Sequence, residues 1–164
     1  MDYGIAETSL GLLLAAVSDK GLCAVLLGDA EAPLLAELKR RFPREALVLG
    51  GTAGNQALEM LIAMLAGREC QEVLPLDERG TLFQRRVWEE LRRIPRGETI
   101  SYGELAARIG RPRAPRAVAG ACAQNPLAIV TPCHRVVGKN GRLGGYYWGV
   151  ERKRRLLEQE GGSC

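Results

Sequence analysis

Histidine is almost absent from this chain: of 164 residues, only His134 is one. Five cysteines are present (Cys23, Cys70, Cys122, Cys133 and Cys164), and no two of them are closely spaced. Zinc sites draw on Cys and His in close pairs, so no metal site is expected. An odd number of cysteines also fits poorly with a complete disulfide framework. The N-terminus carries Asp2 and Glu7 and no basic leader region, so it does not read as a signal peptide. The compartment expected from this is the cytoplasm, where thiols stay reduced. No apolar run approaches the roughly 20 residues that span a bilayer, so no membrane partner is expected. Hydrophobic content of 46% and charged content of 26% are those of an ordinary soluble globular protein.

The length admits one domain or two small ones. The net charge of +4 is unevenly placed: residues 1–80 hold 7 Lys+Arg and 12 Asp+Glu, residues 81–164 hold 16 and 7. The basic half fits either a polyanionic partner or a solvated cationic face, and charge alone does not choose. Two apolar runs, Leu10–Val17 and Leu22–Leu27, flank the turn signal Ser18-Asp-Lys-Gly21 and predict a hairpin. Helical spacing follows over Ala32–Arg41 and Asn55–Ala66, the latter with Leu58, Leu61, Ile62 and Leu65 on its inner stripe. A polar connector over Glu72–Arg79 sets the expected boundary: a small α/β scaffold over 1–78, a mostly α domain over 79–164.

In the second half, Thr81 with Gln84 and Ser101 with Glu104 are capping-box pairs, each opening a helix. Gly110-Arg-Pro-Arg113 is a turn, and Pro115 suits the first turn of the next helix. The result is a helix-turn-helix pattern. Its second helix is built of Ala and Gly behind Arg111, Arg113 and Arg116, so it can approach another surface closely while the arginines meet phosphates. The run Leu127–Val130 reads as a short buried strand or extended segment stopped by Pro132. Directly after it comes Pro132-Cys133-His134-Arg135. A thiolate is the reactive form of cysteine, and a neighbouring imidazole or guanidinium lowers its pKa or takes its proton. Gly144-Gly-Tyr-Tyr-Trp-Gly149 is a glycine-rich aromatic loop able to line a pocket for a flat ring, or simply to pack. The last helix, Val150–Glu160, turns Leu156 and Leu157 inward and Arg152, Lys153, Arg154 and Arg155 outward. Glu160 sits at its C-terminal end, against the helix dipole, and calls for a specific partner.

Pro132-Cys-His-Arg-Val-Val137 with Asn125-Pro upstream resembles the active-site signature of the O6-alkylguanine-DNA alkyltransferases. Ser101-Tyr102, Arg116-Ala-Val and Leu156-Leu-Glu-Gln-Glu160-Gly resemble further motifs of that family, in the same order, over roughly residues 80–162. The Gly145–Val150 loop is most similar to the bacterial Ada-type branch. The resemblance implies a ribonuclease-H-like α/β N-terminal domain and a mostly α C-terminal domain with a helix-turn-helix. It implies irreversible, single-turnover transfer of an alkyl group, chiefly methyl, from O6 of guanine to Cys133, with no cofactor. By the same resemblance His134 is the base, Glu160 orients it, Tyr102 donates a proton toward the leaving guanine, and Asn125 braces the active-site turn. Backbone groups of Cys133, Val136 and Tyr147 hold the base edge, and Arg135, Tyr146, Trp148 and Gly149 belong to the substrate and DNA-binding set. Arg116 fills the gap left by the flipped nucleotide, and the small residues Ala117 to Ala121 enter the minor groove of double-stranded DNA. The implied protein is a monomer in the cytoplasm, at the nucleoid; clustering on DNA stays open. Trp148, bulky where some members carry glycine, predicts a tight pocket that favours methyl over benzyl adducts.

Three rivals remain in view. A non-enzymatic lesion sensor would lack Cys133. A plain helix-turn-helix regulator would not need Cys133, His134 and Glu160 together. A cysteine hydrolase normally places its base far from the nucleophile in sequence, unlike the adjacent Cys133 and His134.

Overall fold

The computed structural model describes residues 1–68 and 74–161 and divides into two compact units. The first comprises Met1–Arg79 with Pro126–Ala128, the second Gly80–Asn125 with Ile129–Cys164. Cys70, Cys164 and the first part of the expected connector, through Val73, lie outside the described residues.

The first unit is built on a hairpin of β2 (Gly11–Ser18) and β3 (Gly21–Gly28), the two apolar runs predicted to pair. Asp19 and Lys20 form its tip, and Ser18 Oγ accepts the Lys20 N–H at 3.1 Å. Both strands are buried over nearly their whole length, so their sequence is continuously apolar instead of alternating. β1 (Asp2–Thr8) pairs antiparallel with β2, and the short β4 (Val48–Leu49) pairs parallel with β1, giving the order β3-β2-β1-β4. Neither β1 nor β4 is legible in the sequence. β1 lacks an apolar alternation because it is thinned where a helix lies on it: a Cβ on Gly4 would sit 2.6 Å from Leu58 Cδ1. α1 (Glu31–Arg41) packs Leu34 and Leu38 against β3. α2 (Thr52–Leu65) packs Ala57, Leu58 and Leu61 against β1 and β2. α2 begins at Thr52, not Asn55, and Ile62, expected on its inner stripe, is exposed.

The described part of the connector is not free chain. Leu22 N donates to Pro75 O at 2.8 Å and Asp77 N donates to Leu22 O at 2.8 Å, so the segment runs parallel beside β3.

In the second unit, α3 (Leu82–Leu91) opens on the predicted capping box, with Thr81 and Gln84 bonding each other's backbone. α4 (Tyr102–Arg108) opens on Ser101, whose hydroxyl accepts the Glu104 N–H at 3.1 Å. α5 (Pro115–Ala123) follows the turn, with Pro115 in its first turn. The three helices close on one core of Val87, Trp88, Leu91, Leu105, Ala106, Val118 and Ala121. Trp88 Nε1 donates to Ala121 O at 2.8 Å, which fixes α5 over α3. β5 (Ile100–Ser101) and β6 (Val136–Val137) pair in parallel, and α6 (Val150–Gln159) packs on the Cys133–Arg135 turn.

Leu127–Val130 is not a strand. Only Leu127 forms a bridge, to Val25, and the chain then turns. Ile129 takes φ 75°, a left-handed conformation that costs a β-branched residue about 1–2 kcal/mol. The apolar run is explained by burial of Leu127, Ala128 and Ile129, which periodicity cannot distinguish from strand pairing.

Gly21 combines a left-handed φ of 142° with backbone crowding: a Cβ there would lie 2.2 Å from Pro75 O. Gly21→Ala is therefore expected to destabilise the protein by about 2 kcal/mol or more in urea unfolding. Gly50→Ala, at φ 89° with open space around it, is expected to lose only about 1 kcal/mol.

Candidate active site

The segment from Asn125 to Val137 folds back on itself around one side chain. Asn125 is buried, and its Nδ2 donates to Thr131 O at 2.7 Å and to Cys133 Sγ at 3.2 Å. One amide thus closes the turn and touches the sulfur. Arg92 holds the same turn from α3, donating to Thr131 Oγ1 at 2.9 Å. Cys133 to Arg135 then form a single 3-10 turn.

His134 is 1% exposed, and its Nε2 lies 3.0 Å from Glu160 Oε1. Arg135 grips the same carboxylate with two bonds, Nε to Oε1 at 2.9 Å and Nη2 to Oε2 at 2.7 Å. Burial opposes ionisation of Glu160, but the bonds and charges of His134 and Arg135 outweigh it and hold the pKa at about 2. Glu160 is therefore a carboxylate and can only accept, so Nε2 of His134 carries the hydrogen. Burial pushes the His134 pKa down, so the ring is neutral at pH 7. The lone pair then sits on Nδ1, which is buried and has no hydrogen-bond partner among the described residues. That nitrogen is a free base next in sequence to Cys133. Burial raises the Cys133 pKa, and Asn125 and the charge of Lys153 only partly oppose it, so the resting group is the thiol.

Cys133 lines a cavity of about 440 Å³ together with Tyr102, Ala119, Cys122, Ala123, Gly145, Tyr146 and Tyr147. Such a volume suits a small flat ligand. Burial raises the Tyr102 pKa to about 12, so its hydroxyl stays protonated and can donate. The Tyr146 hydroxyl is buried without a partner among the described residues. The aromatic loop thus contributes Tyr146 and Tyr147 to the wall. Trp148 does not line the cavity. Its ring packs edge-on against Tyr147, centroids 4.6 Å apart, so the expectation that Trp148 narrows the pocket is not met. Gly149, at φ 100°, is the N-cap of α6 and shapes the loop's exit.

Two more expectations are corrected. Arg135 does not face the sulfur or an open surface: Glu160 and the Ile94 carbonyl, at 2.7 Å, occupy its guanidinium, because a buried carboxylate has to be neutralised. Ala121 is 3% exposed in the helical core beneath Trp88, so it does not lie on the outer face of α5. That face carries Arg116, Ala117 and Gly120, all exposed. Arg111, Arg113 and Arg116 are exposed and have no ion pair among the described residues. Val136 is buried in β6, and its carbonyl accepts from Lys153 Nζ at 2.7 Å.

Lys153 was expected to point outward; it is fully buried and adjoins the site. The signal was present in the spacing. Lys153, Leu156, Leu157 and Glu160 lie at i, i+3, i+4 and i+7, one helical stripe that the charge of Lys153 disguises.

The depressed pKa of Glu160 stabilises the folded state above the ordinary carboxylate value of 4.5, and that contribution is lost as pH falls toward about 2. Glu160→Gln leaves Arg135 uncompensated and is expected to cost about 3 kcal/mol in urea unfolding at pH 7. The gap between variant and wild type is expected to close progressively below pH 4.5.

Residues 82–162 match the family model for the 6-O-methylguanine DNA methyltransferase DNA-binding domain. The chain is 51% identical over 158 residues to the bifunctional transcriptional activator/DNA repair enzyme Ada of Escherichia coli, covering 96% of this chain and 45% of that protein. It is 54% identical over 108 residues to the methylated-DNA–protein-cysteine methyltransferase of Mycobacterium bovis, covering 66% of each. The chain thus spans less than two thirds of these relatives' length. Among solved structures, Mycobacterium tuberculosis OGT in complex with DNA superposes with a TM-score of 0.82 at 39% identity, over 98% of this chain and 92% of that one. The O6-methylguanine-DNA methyltransferase of Pyrococcus kodakaraensis gives 0.75 at 28% identity, over 97% and 99%. The motifs around Cys133, the whole-chain similarity and the shared fold agree, and the chain belongs to the O6-alkylguanine-DNA alkyltransferase family.

Proposed function

We propose that this protein repairs DNA by moving an alkyl group, chiefly methyl, from O6 of guanine onto Sγ of Cys133 in one irreversible turnover. The observation that carries the reading is a protonated, cavity-facing thiol followed directly in sequence by a neutral histidine whose buried Nδ1 has no hydrogen-bond partner among the described residues, a base that reaches the thiol through a water. The Cys133 proton passes to His134, and Glu160 offsets the charge that forms on the ring. The sulfur attacks the saturated carbon, the S–C bond forms as the C–O6 bond breaks, and the electron pair leaves on guanine. Tyr102 donates a proton to the departing base and regains one from His134 through solvent, so the net change is thiol plus alkylguanine to thioether plus guanine. A thioether offers no leaving group to water at neutral pH, which makes the turnover single.

The target atom is inaccessible inside a duplex, so the nucleotide has to be flipped into the cavity at a cost of a few kcal/mol. The outer face of α5 supports this: Arg116 projects from its first turn to fill the vacated stack, and Ala117 and Gly120 permit close approach along the minor groove. Arg111 and Arg113 meet the phosphates. Asn125 braces the turn, and the backbone of Cys133 and Tyr147, both in the cavity lining, reads the base edge. For residues 1–78 we take the role of scaffold, and for 79–164 that of binding and chemistry. The sheet order β3-β2-β1-β4, antiparallel except for the parallel β1–β4 pair, supports a ribonuclease-H-like reading of the scaffold. No described helix is long and apolar enough to cross a membrane, and the substrate assigns the protein to the cytoplasm, at the nucleoid.

The test is intact-protein mass spectrometry after incubation with a duplex carrying one O6-methylguanine. The wild type is expected to gain one methyl group stoichiometrically, and Cys133→Ala none. DNA binding without any gain in mass would replace this reading with that of a lesion sensor. Tyr102→Phe is expected to slow single-turnover transfer roughly 100-fold, the contribution of a positioned acid, with DNA affinity unchanged; a rate equal to wild type removes Tyr102 from the mechanism.

A further inference from the structure

Lys153 is the anomaly of the second unit. Its side chain is 0% exposed, and no carboxylate pairs with it among the described residues. It stands in the first half of α6, where the helix dipole disfavours a cation. Burying an ammonium without an anion is costly, so the site has to return something for it. Nζ donates to Val136 O at 2.7 Å and to Gly145 O at 3.2 Å, and lies 5.9 Å from the centroid of the Tyr102 ring. Val136 belongs to β6, directly beyond the Cys133–Arg135 turn, whereas Gly145 and Tyr102 line the cavity. One ammonium therefore ties β6 to the Gly145 side of the reactive pocket and stands over the Tyr102 ring, from an element that does not itself line the cavity.

We propose that Lys153 is a positioning residue for the alkyl transfer: it pins the Gly145 wall of the cavity to β6, and its buried positive charge stabilises the Cys133 thiolate. This rests on the function proposed above. The groups facing Cys133 are Lys153 from α6, Cys122 from α5, Tyr102 from α4, Tyr146 from the aromatic loop, the Asn125 amide and neutral His134, itself backed by Glu160 and Arg135. Of these, Cys122 and both tyrosines are held in their neutral forms by burial, and the Glu160 charge is matched by Arg135. Burial lowers the Lys153 pKa and an ionised Cys133 would raise it, so Lys153 is left as the one basic group of the pocket without a carboxylate partner among the described residues. Because the resting sulfur is a thiol, whatever favours its ionised form lowers the cost of making the attacking species. The effect strengthens when a bound base displaces water and the local dielectric falls.

Two substitutions separate the two parts of the role. Lys153→Gln keeps amide donors for the two carbonyls and removes the charge; Lys153→Arg keeps the charge. The readout is the pH dependence of iodoacetamide labelling at Cys133, followed by peptide mass spectrometry on the full chain, beside the transfer rate from an O6-methylguanine duplex at saturating DNA. Lys153→Gln is expected to move the labelling midpoint up by about one pH unit, ten-fold less thiolate at a fixed pH, and to slow transfer about ten-fold. Lys153→Arg is expected to stay near wild type in midpoint. A Lys153→Gln midpoint equal to wild type overturns the electrostatic role. A folding defect in that variant does not block the test, because the coupling can be read in the wild type. The chain has only four lysines, so the Lys153 Cε resonance is resolvable by NMR with labelled lysine. It is expected to shift through the Cys133 midpoint, and this step should vanish in Cys133→Ala; no such step in the wild type overturns the proposal. Failure of the wild type to accept methyl from DNA would sink the functional reading alone, since labelling and NMR do not involve DNA.

Discussion

A single buried carboxylate organises the reactive half of this protein. Glu160 caps the C-terminus of α6, where the dipole and the loss of water both oppose a negative charge. His134 and Arg135, adjacent in sequence, converge on its two oxygens, and Arg135 also reaches the Ile94 carbonyl. The ionised state of Glu160 then dictates the tautomer of His134, and the tautomer leaves Nδ1 as a base. An interaction that fixes the packing of α6 on the 3-10 turn thus also sets the protonation pattern of the site.

The second constraint is the turn between Asn125 and Cys133. It carries a left-handed isoleucine, Ile129, at a conformational cost, and the Asn125 amide holds it closed. In exchange the sulfur faces a cavity while its surroundings stay dry enough to keep it protonated. A cysteine held as the thiol by burial is protected from indiscriminate electrophiles, since the thiolate is the nucleophilic form. For a protein proposed to act once, that restraint has an evident use.

Charge and shape divide the labour along the chain. The acidic first half supplies a deeply buried hairpin. The basic second half places exposed arginines around a helix of small residues, on the unit that carries Cys133. Trp88 links the two aspects of that unit, because its indole holds α5 from below while the outer face of the helix stays bare.

Short-range sequence was enough for the local grammar and for the adjacency of Cys133 and His134. The hairpin at Ser18–Gly21, the capping box at Thr81, the Pro115 helix start and the Cys133–His134 adjacency all depend on neighbours a few residues away, and each was legible. Family motifs extended this to Glu160, Tyr102 and Asn125. Tertiary structure decided what depends on burial. Leu127–Val130 is apolar because it is inside, not because it pairs; Gly4 hides a strand because a helix needs the room. Ala121 faces the core, Trp148 stands off the cavity, and Arg135 serves Glu160. Lys153 is the clearest case: composition ranks lysine as a surface residue, yet its helical stripe carries it into the interior, where it bonds the Gly145 carbonyl of the cavity lining. Periodicity records which side chains share a face, but only the assembled fold shows which face is covered and which polar atoms wait there for a charge.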